Sequence, residues 1–595
     1  MKRDLGDFTT HGRRLAVLSA IALPLGFLSG LVAWVLLRLI GLITHLAFTG
    51  RVGWSLVAPN PHHWGAASVA VPVIGGLVVG LLAKYGTDKI RGHGIPEAIQ
   101  AILENESRME PRVAIIKPIA SAITIGTGGP FGAEGPIIMT GGAIGSLVSQ
   151  LFRLSSLERR TLLVAGAAAG MSATFGAPIS SVLLAVELLL FEWRPRSLIP
   201  VAIASALAEG VRTWLLGTTP VFATPPTPSL PWSSIGWALA VGLAAGLLSG
   251  ILTKLVYFVE DTYRKLPIHW VWWPALGGLV VGLGGLVDPR ALGVGYPTIR
   301  ALDSGHLLWT AALVLLVVKA VIWIASLSSG TSGGVLAPLL MLGGALGMLL
   351  SPLFPGHSAS VWATLGMAAM LGGTMRAPFT ATIFTLETTH NWSLLLPVFM
   401  ASAAAMAVTV LWIPRSILTE KVARRGVHVA REYGVHPLEG QAVEDIMVAR
   451  SQTQVLDAEM LVADAKARLM DPSLSHATYP VVDARGDVIG MVSRFHLLSH
   501  PGSTVAASAS PVCTIGARER VRAAVEVMVR SGSPSLVVVD PDGRWVGWVT
   551  RTDVDTTWKR VLDAEERREA VFTWPRRTPA AGHAAPPDAN RQTSL

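Results

Sequence analysis

The stretch that decides the fold occurs twice. Residues 141–152 read GGAIGSLVSQLF and residues 343–354 read GGALGMLLSPLF, so eight of twelve positions are identical at a spacing of 202 residues. The same spacing separates Pro136, which ends GAEGP, from Pro338, which ends GVLAP. Further on, two Ala-Pro pairs 200 residues apart are each followed nine residues later by a glutamate. Four landmarks in one order predict a duplicated unit.

The composition is typical of a membrane protein. Of the 595 residues, 51% are hydrophobic and 15% are charged, whereas soluble globular chains carry about 25% charged residues. This balance excludes a soluble enzyme as the whole chain and disorder over most of its length. The net charge of +9 comes mainly from Lys and Arg at the amino end and after residue 410, beside apolar segments, as the positive-inside rule predicts, so nucleic acid is not an expected partner. The lone cysteine, Cys513, excludes a disulfide framework and a multi-thiolate metal site.

The apolar region mixes full-length and interrupted segments. Residues 1–14 are basic and precede an apolar run to about residue 48, which is too long for a signal peptide and predicts a retained first helix behind a cytoplasmic amino end. Segments long enough to cross a bilayer are 198–216, 234–258 and 308–327. Segments that are shorter or cut by Gly and Pro are 113–126, 136–154, 161–175 and 179–192. Half-length helices need protein or an aqueous cavity to satisfy their ends, so the array predicts a transporter or channel core. The sequence itself leaves open whether the two halves are inverted.

Glycine–proline motifs precede several of these helical runs. The motifs are Gly92-His-Gly-Ile-Pro96, Gly132-Ala-Glu-Gly-Pro136 and Gly334-Val-Leu-Ala-Pro338. Proline is favoured at the first helical position, and the free N–H groups of a helix start carry partial positive charge. Several such starts, converging inside the membrane, predict an anion site without a full positive charge. A carboxylate at mid-membrane costs about 2.5 kcal/mol or more unless it is solvated or functional, so Glu134 is expected to occupy this site as an anion mimic.

The composition changes after Trp412, where a basic cluster precedes a region that looks soluble, 426–560. Within this region, residues 479–493 match residues 536–550 at a spacing of 57, and each copy reads as strand, glycine turn and strand. Each copy also follows a run of helical type. The final stretch, 575–595, is rich in Pro and Ala and is predicted to be disordered.

The three motifs resemble those of the CLC family of chloride channels and proton-coupled anion exchangers, GSGIP, GKEGP and GxFxP. The C-terminal copies resemble a pair of cystathionine-β-synthase-type (CBS) modules. The resemblance implies a mainly α, polytopic membrane protein with an inverted-repeat core and re-entrant half-helices, followed by a cytoplasmic α/β CBS pair. It also implies a homodimer in a bacterial-type inner membrane, with both termini cytoplasmic. The expected bounds are 15–425 for the membrane domain, about 60–215 and 235–413 for its repeats, and 440–500 and 505–560 for the modules.

The resemblance assigns roles to individual residues. Glu134 has the position of the family's gating glutamate. The expected contacts of the central anion are His93, Gly94, Ile95, Val335, Leu336 and Leu418. Backbone amides can serve whatever the side chain, but His93 stands where the family has serine and Leu418 where it has tyrosine. His93 is either a titratable group that senses protons or a neutral donor. The two differences predict a wider inner gate and leave selectivity for chloride over other anions open.

Proton coupling is a third difference from the family. Coupled exchangers carry a second glutamate at the position of Leu188, and leucine cannot relay a proton. The sequence therefore favours a voltage-gated chloride channel-like protein. The alternatives are a proton-coupled antiporter with another proton route, a transporter of a larger or different anion, and a membrane-tethered sensor with a vestigial core. No nucleophile–base pair, metal cluster or phosphate loop suggests an enzyme, and no cofactor is required.

Further polar residues carry structural expectations. Glu187 and Glu387 are the glutamates that follow the two Ala-Pro pairs, and their symmetry favours capping or pairing across the repeat interface over ion handling. Glu97 is expected to complement the dipole of the helix that begins near Pro96. Lys319 lies in an apolar run, and a buried ion pair is expected for it.

The second CBS-type copy carries a candidate ligand site. Thr550-Arg-Thr-Asp553 follows its last strand, and in CBS pairs this pattern often binds the ribose of an adenine nucleotide. The first copy has Ser493-Arg-Phe-His496 there instead, so one nucleotide site is expected at most. A purely structural pair is the alternative.

Overall fold

The computed structural model describes two compact units of the chain. Within the first unit it describes residues 12–60, 64–224, 227, 231–232, 234–305, 307–354 and 358–426, and within the second 441–471, 476–499 and 504–566. The predicted disordered tail, 575–595, and most of the predicted N-terminal segment, 1–14, lie outside the described residues.

The described part of the first unit is helical. Its α-helices are α1 (Gly12–Thr49), α2 (Ala70–Tyr85), α3 (Ile95–Glu104), α4 (Pro111–Gly126), α5 (Glu134–Gln150), α6 (Ser156–Phe175), α7 (Pro178–Leu184), α8 (Pro195–Leu216), α9 (Ser234–Arg264), α10 (Trp273–Val287), α11 (Tyr296–Asp303), α12 (Trp309–Ser328), α13 (Leu336–Leu350), α14 (Ala359–Met375), α15 (Pro378–Thr389), α16 (Leu395–Trp412) and α17 (Ile417–Ala423). A π-helical turn, Ala185–Leu190, continues α7. Eight helical segments of the described chain are long and apolar enough to cross a membrane.

The two halves of this unit repeat the same packing. α1 packs on α4, α6 and α8, and α9 packs on α12, α14 and α16. α2 to α8 therefore correspond in order to α10 to α16, and α17 follows the second half. The first half begins at α1 and not at about residue 60 as predicted, because α9 in the second half has α1 as its counterpart.

A local two-fold axis relates the halves. The N–H of Gly132 donates to the carbonyl of Gly334 (3.3 Å), and the N–H of Gly334 donates to the carbonyl of Gly132 (3.0 Å), in an antiparallel bridge. These glycines are equivalent positions of the repeat. Equivalent residues that exchange hydrogen bonds in antiparallel fashion are related by a two-fold axis between them. The duplicated halves are therefore inverted relative to each other, which answers the question that the sequence left open.

The repeated glycines explain how tightly neighbouring helices pack. A Cβ atom on Gly141 would lie 2.2 Å from the carbonyl oxygen of Gly166, and one on Gly343 would lie 2.3 Å from that of Gly366. Only glycine permits these approaches of α5 to α6 and of α13 to α14. The identical Gly-Gly stretches thus bring the two central half-helices against the helices that follow them.

The second unit contains two α/β modules. Its first module consists of β2 (Leu456–Asp457), α18 (Val462–Leu469), β3 (Thr478–Val482), β4 (Val488–Ser493) and α19 (Arg494–Ser499), after a short strand β1 (Val448–Ala449). Its second module consists of β5 (Thr514–Gly516), α20 (Val521–Ser531), β6 (Ser535–Val539), β7 (Trp545–Thr550) and α21 (Arg551–Glu566). In both, the first strand pairs in parallel and the last two pair as a hairpin, giving sheets of order β2-β3-β4 and β1-β7-β6-β5.

The modules repeat in detail and meet at equivalent positions. Each hairpin has an irregular register, after Val481 in one and Val538 in the other. The hydroxyls of Thr478 and Ser535, 57 residues apart, lie 3.0 Å from each other in a buried contact. This is the spacing of the sequence repeat, so the modules pair around a second local two-fold axis.

Candidate functional site

The starts of three broken helices meet inside the first unit. A Cβ atom on Gly94 would lie 2.2 Å from the carbonyl oxygen of Gly135, and one on Gly135 would lie 2.9 Å from the Cα of Gly334. The backbones of the three glycine motifs are therefore in van der Waals contact. The motifs can approach this closely because glycine has no side chain to separate their backbones.

Glu134 lies at the centre of this contact and is fully buried. Its Oε1 accepts from the N–H of Leu336 (2.5 Å) and more weakly from that of Ala337 (3.3 Å). Both donors belong to the first turn of α13, where N–H groups lack intrahelical acceptors. Glu134 and Leu336 are equivalent positions of the two repeats. The carboxylate of one half thus accepts hydrogen bonds from the free amides of the other half, and its Oε2 has no partner among the described residues.

The first motif is held by a carboxylate that caps its own helix. The N–H of Gly94 donates to Glu97 Oε2 (2.8 Å), while Glu97 Oε1 lies 3.3 Å from Lys421 Nζ and 3.4 Å from Arg425. Glu97 therefore complements the start of α3 as predicted. The expectation that the Gly94 amide contacts an anion needs correction, because this N–H already has an acceptor. The N–H of Ile95, at the first helical position, has no acceptor within its helix.

The other expected anion contacts are buried as well. His93 is buried, and its Nδ1 has no partner among the described residues. Val335 immediately precedes α13, and Leu418 is fully buried in α17. Sequence reasoning missed Tyr257 of α9, whose hydroxyl donates to the carbonyl of Ile417 beside Leu418. A phenol therefore reaches the start of α17, but from another helix and toward a backbone oxygen.

Two buried lysines anchor the loops before α3 and α11. Lys117 Nζ donates to the carbonyls of Ile90 and Gly92, both at 2.7 Å. Lys319 Nζ donates to the carbonyls of Ala291 (2.8 Å) and Gly293 (3.4 Å). The ion pair expected for Lys319 is not found among the described residues, because carbonyl oxygens satisfy the ammonium instead. Both lysines thus satisfy carbonyl oxygens of the loop that precedes a helix start.

Glu187 and Glu387 cap helices of the opposite half. Glu387 accepts from the N–H groups of Ile179 (2.9 Å) and Ser180 (2.8 Å) at the start of α7. Glu187 accepts from the N–H (2.7 Å) and hydroxyl (2.5 Å) of Thr380 at the start of α15. The predicted capping across the repeat interface is confirmed. Leu188, the next residue, is fully buried within the π-helical turn.

A fourth motif was missed in the sequence. Residues 293–297 read GVGYP and begin α11, 201 residues after the GHGIP that begins α3. The repeat spacing was the signal that could have found it. Its tyrosine, Tyr296, replaces Ile95 of the first half.

In the second unit the candidate nucleotide residues hydrogen-bond to each other. Asp553 Oδ2 accepts from the N–H (2.8 Å) and hydroxyl (2.7 Å) of Thr550, which caps the start of α21. The equivalent Ser493 hydroxyl accepts from the N–H of His496 (3.0 Å). One carboxylate oxygen of Asp553 thus serves as a helix cap.

Comparisons with known proteins agree with this arrangement. A chain with duplicated, inverted halves and broken helices in its centre is a membrane transport protein and not an enzyme. A family model described as voltage gated chloride channel matches residues 75–410, and the CBS domain model matches residues 443–502 and 506–556. The chain belongs to the voltage-gated chloride channel (CLC) family and carries a C-terminal CBS pair.

Relatives and solved structures cover most of the membrane unit. The H(+)/Cl(-) exchange transporter ClcA of Klebsiella pneumoniae (strain 342) is 31% identical over an alignment of 407 residues, and the match covers 63% of this chain and 84% of ClcA. The structure of a slow cyanobacterial Cl-/H+ antiporter has a TM-score of 0.60 at 23% identity and covers 70% of this chain and 99% of its own. A eukaryotic CLC transporter has a TM-score of 0.57 at 18% identity and covers 90% of this chain and 97% of its own.

Proposed function

We propose that this protein moves chloride or a related monovalent anion through the membrane unit, with Glu134 as the gate. The observation that carries the proposal is the hydrogen bond from the N–H of Leu336 to Glu134 Oε1, at 2.5 Å. The amides of a helix start bind an anion without a full positive charge, so an ion can also leave them. A permeating anion that displaces the carboxylate finds the donors that Glu134 now uses.

The burial of Glu134 supports a role beyond packing. A buried carboxylate is costly in a membrane unless it is paired or functional, and here only one of its two oxygens has partners among the described residues. A carboxylate bound on one side only can leave its site when it is protonated or displaced. The positive charge of Lys319 acts on Glu134, which favours a negative occupant.

Leu188 supports a proposal for the mode of transport. This position is fully buried and apolar, and it stands where coupled relatives of the family have a proton-relay glutamate. We therefore propose an uncoupled, voltage-dependent, channel-like pathway. The second candidate is a proton-coupled antiporter with another proton route, which is the activity in the name of ClcA. A pathway for a larger anion is the third candidate, because His93 stands where the family has serine and Leu418 where it has tyrosine.

Assembly and regulation are part of the same proposal. We place the chain as a homodimer in a bacterial-type inner membrane, with the amino end and the CBS pair on the cytoplasmic side, as the basic residues after α16 support. Asp553 Oδ1 is not used in the cap of α21, so it can accept from a ribose. An adenine nucleotide bound there would regulate the membrane unit.

Simultaneous flux measurement tests the proposal. The purified full chain is reconstituted in liposomes, and chloride efflux and proton uptake are followed together under a chloride gradient, in wild type, Glu134→Gln and Glu134→Ala. Chloride efflux without proton movement is expected in wild type, with altered voltage or pH dependence in both variants. Stoichiometric proton uptake would establish the antiporter instead. Efflux that both variants leave unchanged would remove Glu134 from the mechanism.

A further inference from the structure

The GVGYP motif places a tyrosine hydroxyl in the interior of the membrane unit. Tyr296 is the first residue of α11 and is 6% exposed. Its ring packs against Phe222, with ring centres 5.4 Å apart, and against Phe175, at 6.2 Å. These contacts fix the ring, so the position of its hydroxyl is also fixed.

This hydroxyl has no hydrogen-bond partner among the described residues. A buried phenol normally finds one, because leaving a buried donor unpaired costs about 1–3 kcal/mol. A phenylalanine would fill the same space between the two aromatic rings without that cost. The hydroxyl is therefore expected to bind something that the described residues do not supply.

The charge of Glu134 acts electrostatically on Tyr296. The Oε2 atom of Glu134 is also buried without a partner among the described residues. The two halves of the protein thus each present one unpaired polar atom to the same interior, an acceptor from α5 and a donor from α11.

Tyr296 also lines a cavity. It has a volume of about 120 Å³ and is lined by residues 293–297, by Arg300 and by the loop 56–59 that follows α1. This volume is large enough for several water molecules or a small anion. Arg300 brings a positive charge to it, and the loop places it at the end of α1 opposite to Gly12. With the amino end in the cytoplasm, this is the external side.

We propose that the Tyr296 hydroxyl is a ligand of the permeating anion, on the path between this cavity and Glu134. The inference rests on the proposed anion transport and adds a selectivity-determining contact to it. Leu418 leaves the inner side without the tyrosine of the family, and Tyr296 supplies a phenol on the external side instead. The proposed ligand is a small monovalent inorganic anion. The available donors are the Tyr296 hydroxyl, the start of α11 and Arg300, and the described residues around the cavity offer no binding site for an organic group.

Removal of a single oxygen tests the proposal. Tyr296→Phe keeps the ring packing, and Tyr479→Phe is the matched control, since Tyr479 is a buried tyrosine of the CBS pair whose hydroxyl is also unpartnered. Chloride binding by calorimetry and chloride flux from liposomes are measured for wild type, both variants and Arg300→Gln. Each preparation is first checked by gel filtration.

The proposal expects Tyr296→Phe to weaken chloride binding and raise the half-saturating chloride concentration about tenfold, as for loss of a hydrogen bond to a charged group. Tyr479→Phe should behave as wild type, and Arg300→Gln should weaken binding about threefold, because charges at an open cavity are screened. If Glu134→Ala changes flux while Tyr296→Phe and Arg300→Gln keep wild-type affinity, the tyrosine contact is overturned and the proposed transport stands. If wild type neither binds nor conducts chloride, bromide, nitrate or fluoride, both proposals fail.

Discussion

The two halves of the membrane unit are alike where they hold the fold and different where they form the site. Lys117 and Lys319 each anchor a loop through two carbonyls, and Glu187 and Glu387 each cap a helix of the other half. These groups repeat because both halves have the same broken helices, whose polar ends need the same partners inside a membrane.

The departures from symmetry cluster at the helix starts. Glu134 of the first half faces Leu336 of the second, and Ile95 of the first half corresponds to Tyr296 of the second. In both pairs a polar group stands opposite an apolar one. A symmetric pair of carboxylates would repel at the centre, so a single carboxylate can use the free amides of its counterpart only if the counterpart has no charge.

The largest functional effect of a substitution that removes the difference between the halves is expected at Glu134. Glu134→Ala frees the amides of Leu336 and Ala337, so the pathway should stay open and chloride flux should lose its pH or voltage dependence. Leu336→Met is the matched control at the equivalent position, because it conserves volume and keeps the backbone donor. Flux recordings from liposomes should show wild-type gating for Leu336→Met. Equal effects of the two substitutions would mean that the site is as symmetric as the fold.

The lysine pair is expected to be next in size. Lys117→Met and Lys319→Met each leave two buried carbonyls unpaired, which should lower the free energy of unfolding by about 2 kcal/mol or more. Thermal unfolding followed by tryptophan fluorescence should show similar losses for the two variants. Only Lys319 lies within electrostatic reach of Glu134, so only Lys319→Met should also weaken chloride binding.

Binding losses of the same size in both lysine variants would contradict this division between fold and site. Lys117 instead interacts with Glu97 of the capping box. Lys319→Arg keeps the positive charge that acts on Glu134 and is the control for that charge, and Lys117→Arg is the same substitution at the other loop.

The capping glutamates should show a smaller and symmetric effect. Glu187→Gln and Glu387→Gln remove a charge from a helix start while keeping an acceptor oxygen, so each should cost about 1 kcal/mol. The loss should be similar for both in thermal unfolding, and flux should keep its gating. A change in flux for Glu187→Gln alone would assign it an ion-handling role that its counterpart lacks.

Much of the fold could be predicted from the sequence, and the reasons for the rest are physical. The duplicated Gly-Gly stretch and the proline-started helices predicted broken helices that meet, because glycine and proline restrict the backbone locally. The capping role of Glu187 and Glu387 followed from their symmetry. The partners of Lys319 could not be predicted, since they are carbonyls of a loop that only the tertiary fold brings near.

Two further features of the site depended on local geometry. Gly94 was expected to donate its N–H to an anion, but this N–H donates to Glu97 of the same helix instead. The GVGYP motif was not predicted, because it differs from GHGIP at the positions of Val and Tyr. The spacing of 201 residues between the two motifs was the signal that relates them. The positions of the helices can be predicted from the Gly and Pro pattern. Which N–H groups remain free for an anion depends on whether a nearby side chain accepts from them.

The smallest effect is expected in the CBS pair, where the two modules also differ at one helix start. Asp553 caps α21 through Thr550, whereas the first module has His496 at the equivalent position. Asp553→Asn removes a charged acceptor and should lower the free energy of unfolding of this unit by about 0.5–1 kcal/mol. His496→Asn is the control at the equivalent position and should leave the response to ATP unchanged, because the first module has no carboxylate there. Calorimetry of the full chain with and without ATP separates the two roles of Asp553: a stabilisation by ATP that Asp553→Asn abolishes supports the ribose contact, and an equal response in both proteins would leave Asp553 with the helix cap alone.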